Sequence, residues 1–226
     1  MLPFSDRATA GHLLASKLGS YLGQEDVLVA SLPRGGVPVG FEIARILGQP
    51  FDVIVVRKVG LPWRPDLALG AVSRGVRIVD HDVLRSVNLS NYYVYGLFER
   101  LEEEAERREA LFREGHPPLS VRGKIVILVD DGAASGATLL AAAGAVRKQS
   151  PKELIIAVPV ASHEAYTKLK SEVDQCFCLA TPATSFNLSE CYRQFSPVRD
   201  EEVRNLLARS RKTMRQDLAN AQAAGA

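Results

Sequence analysis

Short apolar runs, each cut off abruptly and followed by a helix-period pattern, set the fold class of this chain. Val27–Leu32, Phe51–Val56, Ile125–Val129, Leu154–Val160 and the shorter Gln175–Leu179 read as strands. Continuous Val/Ile/Leu runs of this length suit strands buried on both faces. Helical patterns lie between them. Ser5 or Asp6 can cap a first helix with Leu13, Leu14, Leu18 and Leu22 on one stripe and Gly23 as its stop. A second carries Val39, Ile43, Ile46 and Leu47 and closes at Gly48. Others run from about Thr138 to Lys148, over His163–Lys170, and over Asp200–Arg215. Strands alternating with helices predict an α/β protein with a mainly parallel central sheet flanked by helices.

The remaining segments are read more coarsely. Residues 59–67, VGLPWRPDL, hold two prolines and a glycine and are expected to form a loop. Leu69–Val72 and Val76–Val79 flank Ser73-Arg74-Gly75 and suggest a hairpin. Residues 91–115 form the clearest exposed helix, its acidic face expected to be solvated. There Glu103–Arg107, Glu104–Arg108 and Glu109–Arg113 stand four apart, worth about 0.2–0.5 kcal/mol each. Residues 181–199 read as irregular and 220–226 as a frayed tail. At 226 residues the chain is expected to be one domain, 1–226, with no repeat and no linker.

Charge narrows the function classes. With 28 basic and 26 acidic residues the net charge is only +2, which argues against a protein that coats nucleic acid. No aromatic-rich basic motif favours RNA either. The balance hides an asymmetry: residues 31–79 hold seven basic and three acidic residues, residues 91–115 four and seven. The longest apolar run, Leu154–Ala161, is far short of the roughly 18–20 residues of a membrane span, so no membrane association is expected. The start, MLPFSDRATAGHLL, lacks a secretory pattern, and three cysteines make no disulfide framework. A cytoplasmic protein is expected.

In open parallel sheets ligands sit at the carboxyl ends of strands. Three turns therefore matter. Ile125–Val129 ends in Asp130-Asp131-Gly132-Ala133-Ala134-Ser135-Gly136-Ala137-Thr138 and opens into a helix. Small residues let backbone amides approach an anion, and a helix N-terminus adds unpaired N–H groups. Ser135 and Thr138 add hydroxyls. This is a phosphate cradle without the lysine or spacing of a Walker loop. Two carboxylates beside it suit sugar hydroxyls, or a hydrated Mg²⁺ bridging to them. A phosphate and a vicinal diol a short distance apart describe a ribose 5-phosphate unit. Val27–Leu32 runs into Pro33-Arg34-Gly35-Gly36, whose glycines permit close approach and whose arginine can fork onto a diphosphate. Phe51–Val56 runs into Arg57-Lys58, with Arg64 and Asp66 beyond in the expected loop.

ILVDDGAASGATL closely resembles the phosphoribosyl diphosphate (PRPP) binding motif of type I phosphoribosyltransferases. Leu32-Pro33-Arg34-Gly35-Gly36 resembles that family's short pyrophosphate loop, and Arg57-Lys58 stands where the family often has a basic pair. The resemblance spans about residues 4–205. It is nearest to bacterial phosphoribosyltransferase-domain proteins of poorly defined acceptor, which share the look of SLPRGGVPVGFEIA, VRKVGLP…LALGAV and FSPVRDEEV.

The resemblance implies a type I fold with a small hood, for which 181–199 is the candidate. It implies that Asp130 and Asp131 contact the ribose 2- and 3-hydroxyls and that Ala134, Ser135, Gly136, Ala137 and Thr138 hold the 5-phosphate. Arg34, Gly35 and Gly36 would bind diphosphate, and Arg57 and Lys58 would serve catalysis with the two acids. Mg²⁺ would be held through PRPP and water near Asp130 and Asp131, with no direct protein ligand. The implied activity is transfer of ribose 5-phosphate from PRPP to a small nitrogenous acceptor, a nucleobase, in nucleotide metabolism. The implied assembly is a homodimer. A regulatory module that binds PRPP or a nucleotide without turnover is the alternative.

Some residues depart from better-known relatives. Enzymes using 6-oxopurines commonly carry an acid where this chain has Ala134, which weakens a hypoxanthine or guanine reading. Phe186, Tyr192 and Phe195 could stack on a planar acceptor or pack the last helix on the core. Cys176 and Cys178 alternate onto one strand face and read as structural thiols rather than zinc ligands; Cys191 has no assigned role. His12, His81, His116 and His163 are scattered and receive no catalytic role.

Overall fold

A computed structural model describes residues 2–61, 63–87, 89–182 and 187–224, with backbone alone at 65–67 and 217–224. In chain order the elements are α1 (Arg7–Lys17), β1 (Val27–Ser31), α2 (Gly36–Leu47), β2 (Phe51–Val53), β3 (Arg57–Leu61), β4 (Arg64–Ser73) and β5 (Val76–Val79). They continue as α3 (His81–Ser86), α4 (Asn91–Arg113), β6 (Ile125–Val129), α5 (Ala137–Arg147), β7 (Glu153–Val160), α6 (His163–Glu172), β8 (Gln175–Ala180) and α7 (Asp200–Ala224).

Five strands form one parallel sheet in the order β2-β1-β6-β7-β8. All residues of β1 and β6 are buried, as strands covered on both faces must be. Alternation assigns each residue to a layer. Val27, Val29, Ile125, Ile127 and Ile155 pack against α1, α2 and α7 through Leu14, Ile43, Leu47, Val203 and Leu207. Leu28, Ala30, Val126, Leu128 and Ile156 pack against α5 and α6 through Leu139, Val146 and Leu169. Asp6 caps α1 by accepting from the Thr9 amide at 2.7 Å, and Gly48 ends α2 in the left-handed region at φ 66°. No helix among the described residues is long and apolar enough to cross a membrane.

A second sheet of three antiparallel strands, β3-β4-β5, corrects the reading of 59–67 as a loop. Val59 and Leu61 point inward onto Leu69, Val72, Val94 and Phe98, so burial overrides the turn-forming composition. The register shifts between Val59 and Leu61 hide the alternation. At Gly70 (φ 155°) a Cβ would stand 1.9 Å from the Ile78 carbonyl oxygen, so only glycine fits that crossing. The expected hairpin around Ser73-Arg74-Gly75 is present. The expected strand Phe51–Val56 pairs only as far as Val53, because the Val55 amide donates to Glu109 Oε1 (2.8 Å) rather than to a neighbouring strand. The last helix passes Arg215 and runs to Ala224, since the Ala-rich 216–224 stretch holds no breaker.

Helix α4 exposes Glu99, Glu103 and Glu106 as expected, but two charges of its last turns do not face solvent. Glu109 and Arg113 are buried with Asp52 and Arg74 in a four-charge cluster of zero net charge. Arg113 Nε donates to Asp52 Oδ1 (2.9 Å), and its Nη1 and Nη2 reach Glu109 Oε2 and the Val53 carbonyl at 2.7 Å each. Arg74, from the β4–β5 turn, donates to Asp52 Oδ2 (2.7 Å) and to the Val53 carbonyl (2.9 Å). Burial works against the Arg113 charge, but Asp52 and Glu109 outweigh it and leave its pKa raised. The cluster ties the second sheet and α4 to edge strand β2. Of the expected i,i+4 pairs Glu109–Arg113 forms, while Glu104 and Arg108 turn to partners elsewhere in the chain.

Removing one member strands the opposite charges in the interior. Arg113→Met should lower unfolding free energy by about 3–5 kcal/mol. Breaking the exposed Glu164–Lys168 pair by Glu164→Ala should leave the urea midpoint unchanged. Chemical denaturation of the two variants side by side checks both outcomes.

Candidate active site at the carboxyl ends of three strands

Pairing of β1 with β6 sets Ser31 beside Val129, so the turns after them leave the sheet together. The Leu32 amide donates to the Val129 carbonyl at 2.8 Å. The Arg34-Gly35-Gly36 turn then lies on the acid pair. A Cβ at Gly35 would stand 2.2 Å from Asp131 Oδ2, and one at Gly36 would stand 2.7 Å from the Val129 carbonyl oxygen and 2.8 Å from Asp130 Cα. Gly35 has ordinary helical dihedrals (φ −60°, ψ −39°), so the glycine is needed for room, not for backbone freedom.

Residues 130–139 and Leu188 line an open cavity of about 280 Å³. Its floor is pinned to β7: the Ala133 amide donates to the Val160 carbonyl, and the Ser162 amide to the Ala133 carbonyl. Gly136 enters the left-handed region (φ 71°) and starts α5 with no side-chain cap. Among the described residues the amides of Ala134, Ser135, Gly136, Thr138 and Leu139 meet no acceptor. Five free donors at the positive end of a helix make a concavity of the kind that suits an anion. All five residues expected to hold a phosphate, Ala134 to Thr138, line this cavity with Asp130 and Asp131.

The two acids differ. Asp130 Oδ1 accepts from the Asp131 amide at 2.9 Å. Burial, and then the adjacent Asp131 charge, push the Asp130 carboxyl well above its ordinary range. Asp131 is buried and held from behind: Arg7 Nε donates to its Oδ2 (2.8 Å), and Tyr192 Oη donates to its carbonyl oxygen (2.5 Å). Burial, with the Asp131 charge next, raises the Tyr192 hydroxyl, so it stays a donor.

The cations are placed less uniformly. Arg34 Nη1 lies 3.5 Å from Asp200 Oδ1, an oxygen that Arg108 Nη2 also reaches at 3.2 Å. Arg57 Nη2 pairs with Glu104 Oε1 at 2.6 Å. Lys58 is exposed and forms no ion pair among the described residues. Alternation along β3 sends Arg57 and Lys58 to opposite faces, so the basic doublet does not act as one clamp. The structure sets Gly35 and Gly36 directly against the acids, turns the Arg34 side chain to Asp200, and links Arg57 to that side through Glu104 and Arg108 of α4.

Tyr192 is buried, its ring 5.6 Å from that of Phe4 and 5.2 Å from that of Phe195; packing, not stacking on a ligand, occupies it. Phe186 lies outside the described residues. Cys176 and Cys178 are half-buried against the α5–α6 layer, and burial pushes the Cys176 thiol up to about 12. No group of three or more potential metal-ligating side chains occurs among the described residues. The sequence reading missed Arg7, Arg108, Leu188 and Asp200. Arg7 carried one signal: it is a cation in the first turn of a helix that has no acid there, against the helix dipole.

The phosphoribosyl transferase domain profile matches residues 7–194. The chain belongs to the phosphoribosyl transferase family. Two Mycobacterium tuberculosis proteins, named "Putative phosphoribosyl transferase Rv0571c" and "Putative phosphoribosyl transferase MT0597", are each 39% identical over 210 residues. The match covers 92% of this chain but 47% of theirs, so the chain spans about half the length of the curated relatives it matches. The crystal structure of TT1426 from Thermus thermophilus superposes with a TM-score of 0.82 at 38% identity, covering 91% of this chain and 98% of that one. The profile begins at Arg7 and ends two residues past Tyr192, so both partners of Asp131 fall inside the phosphoribosyl transferase domain.

Placing two carboxylates side by side at this strand end, Asp131 buried and Asp130 half-buried, costs stability. The raised Asp130 pKa means the folded state resists ionisation that the unfolded chain accepts near 3.8. The penalty is absent below that pH and grows as pH rises toward the folded value. Asp130→Asn keeps the Oδ1 acceptor and removes the charge. It should raise the denaturation midpoint at pH 7, and the gain should vanish at about pH 3. Thermal melts at both pH values read it.

Proposed function

We propose that this protein is a phosphoribosyltransferase that binds PRPP with Mg²⁺ and passes ribose 5-phosphate to a nitrogenous acceptor, a nucleobase, releasing diphosphate. The observation that carries this reading is the junction of an acid pair with an uncapped helix start and a glycine turn pressed against the acids. The uncapped α5 start and the hydroxyls of Ser135 and Thr138 take the 5-phosphate. The free oxygens of Asp130 and Asp131 take the ribose 2- and 3-hydroxyls. The Arg34 turn meets the diphosphate across the glycines, and Arg57 and Lys58 approach it from β3.

The donor set fits the metal that this chemistry uses. Two acids whose oxygens are partly engaged by Arg7 and by the Asp131 amide cannot cage an ion alone. They suit a hydrated Mg²⁺ brought in on phosphate oxygens. When bound, the ion neutralises part of the leaving diphosphate charge. The rest falls to the chain. As the anomeric C–O bond breaks and the C–N bond forms, negative charge collects on the diphosphate and positive charge on the ring. Arg34, Arg57 and Lys58 answer the first and the two carboxylates the second. Holding phosphate and diol at fixed points aligns the anomeric carbon with the acceptor. Ala134 is exposed at the loop and carries no acid, so acceptor recognition falls to other groups.

Calorimetric titration with PRPP and Mg²⁺ tests the reading. Wild type should bind. Asp130→Ala combined with Asp131→Ala should weaken binding at least about 100-fold, the worth of two charge-assisted hydrogen bonds, with an unchanged far-UV spectrum. Folded wild type that does not bind PRPP overturns the proposal. Diphosphate release across a panel of nucleobases separates an enzyme from a module that binds without turnover.

A further inference from the structure

Arg7 is far from the acid turn in sequence, yet it makes the most elaborate side-chain contact to it. Its Nε donates to Asp131 Oδ2 at 2.8 Å, across 124 residues of chain. Its Nη1 donates to the Ser196 carbonyl at 2.9 Å. Its guanidinium lies 3.8 Å from the Phe195 ring centroid and 5.9 Å from that of Tyr192. The side chains of Arg7 and Asp131 are each only 10% exposed. Every partner has a consequence. The ring and the Ser196 carbonyl fix the plane of the guanidinium, and that plane fixes one carboxylate oxygen.

The local chemistry of α1 does not call for this residue. Arg7 opens the helix, where the dipole repels a cation, and the neighbouring acid, Asp6, is engaged in capping the Thr9 amide. Burial of its head group adds desolvation. Both costs are met by a charge-assisted hydrogen bond in a desolvated setting, where geometry decides whether a pair is favourable. Tyr192 holds the same residue by its backbone carbonyl. Asp131 is thus anchored at two points, and among the described residues its Oδ1 receives no hydrogen bond.

We infer that Arg7 is a positioning residue: it locks Oδ2 of Asp131 so that Oδ1 is presented to a vicinal diol of the ligand. The inference rests on the PRPP reading above. Segment 192–196 becomes part of the device, because Phe195 and Ser196 hold Arg7 as Arg7 holds Asp131. A guanidinium supplies a rigid planar fork and a stacking face; a lysine at the same place supplies only the charge.

Two sugar phosphates isolate the diol. Ribose 5-phosphate and 2-deoxyribose 5-phosphate are titrated into wild type, Arg7→Met and Arg7→Lys. Wild type should prefer the ribose form about tenfold, the worth of one good hydrogen bond to a charged group. Arg7→Met should cut that preference below about twofold while binding the deoxy form as wild type does, since the phosphate cradle is untouched. Arg7→Lys should recover part of it, and carries the test alone if Arg7→Met does not fold. A wild-type preference that survives in the variants, or an equal loss for both ligands, overturns the role of Arg7. A wild type that does not distinguish the two sugars removes the diol contact, and with it the PRPP reading and this inference together.

Discussion

The pairing of Ser31 with Val129 is the constraint on which the site depends. Parallel neighbours end at the same edge, so the two turns that follow must share one small space. Sharing it means that backbone faces carboxylate with no side chain between them, and only glycine at 35 and 36 permits that. The glycine turn and the acid pair are thus two halves of one contact. Neither would have its conformation if β1 and β6 were not adjacent.

A second constraint places the basic strand. Sheet β3-β4-β5 shares no ladder with the parallel sheet, so something else must hold it. Asp52 at the edge strand does this, gripping Arg74 from the β4–β5 turn and Arg113 from α4. With Glu109 the four charges cancel, and backbone groups of Val53, Val55 and Leu119 hydrogen-bond to them, while Arg74 Nε makes no hydrogen bond and lies 3.4 Å from Glu109 Oε2. A hydrogen-bonded polar cluster is directional where an apolar contact would slide. Directionality matters here because Arg57 and Lys58 begin the strand that this cluster anchors.

What was legible in the sequence followed from local rules. Ile125–Val129 can hardly be other than a buried strand, and the small residues after it can hardly be other than a close-approach turn. The parallel sheet, the hairpin at Arg74 and the helices on both faces rest on such periodicities. The failures share a cause. Val59–Leu61 looks like a loop because proline and glycine dominate the window, and only tertiary burial against Val94 and Phe98 makes it a strand. Arg7, Arg108 and Asp200 look like ordinary surface charges, and acquire meaning from partners about 90 or more residues away. Glu109 reads as one acid among many on α4, yet accepts from a backbone amide of a segment 54 residues earlier.

The places that break local rules lie together. A cation opens a helix against its dipole, two acids stand side by side with Asp131 buried, and a helix starts without a side-chain cap, all at one end of the sheet. Scattered exceptions would be noise of packing. Clustered ones mean that stability lost locally is recovered through contacts that converge on the same few atoms. Arg7 offsets the acid charge, the Asp131 amide donates to Asp130, and the amides at the α5 start meet no acceptor among the described residues. An anion is what such amides lack, and a diol is what the unengaged carboxylate oxygens beside them can accept. A ligand bearing both groups is the one to which this arrangement is complementary, and that complementarity is the chemical basis of the proposed function.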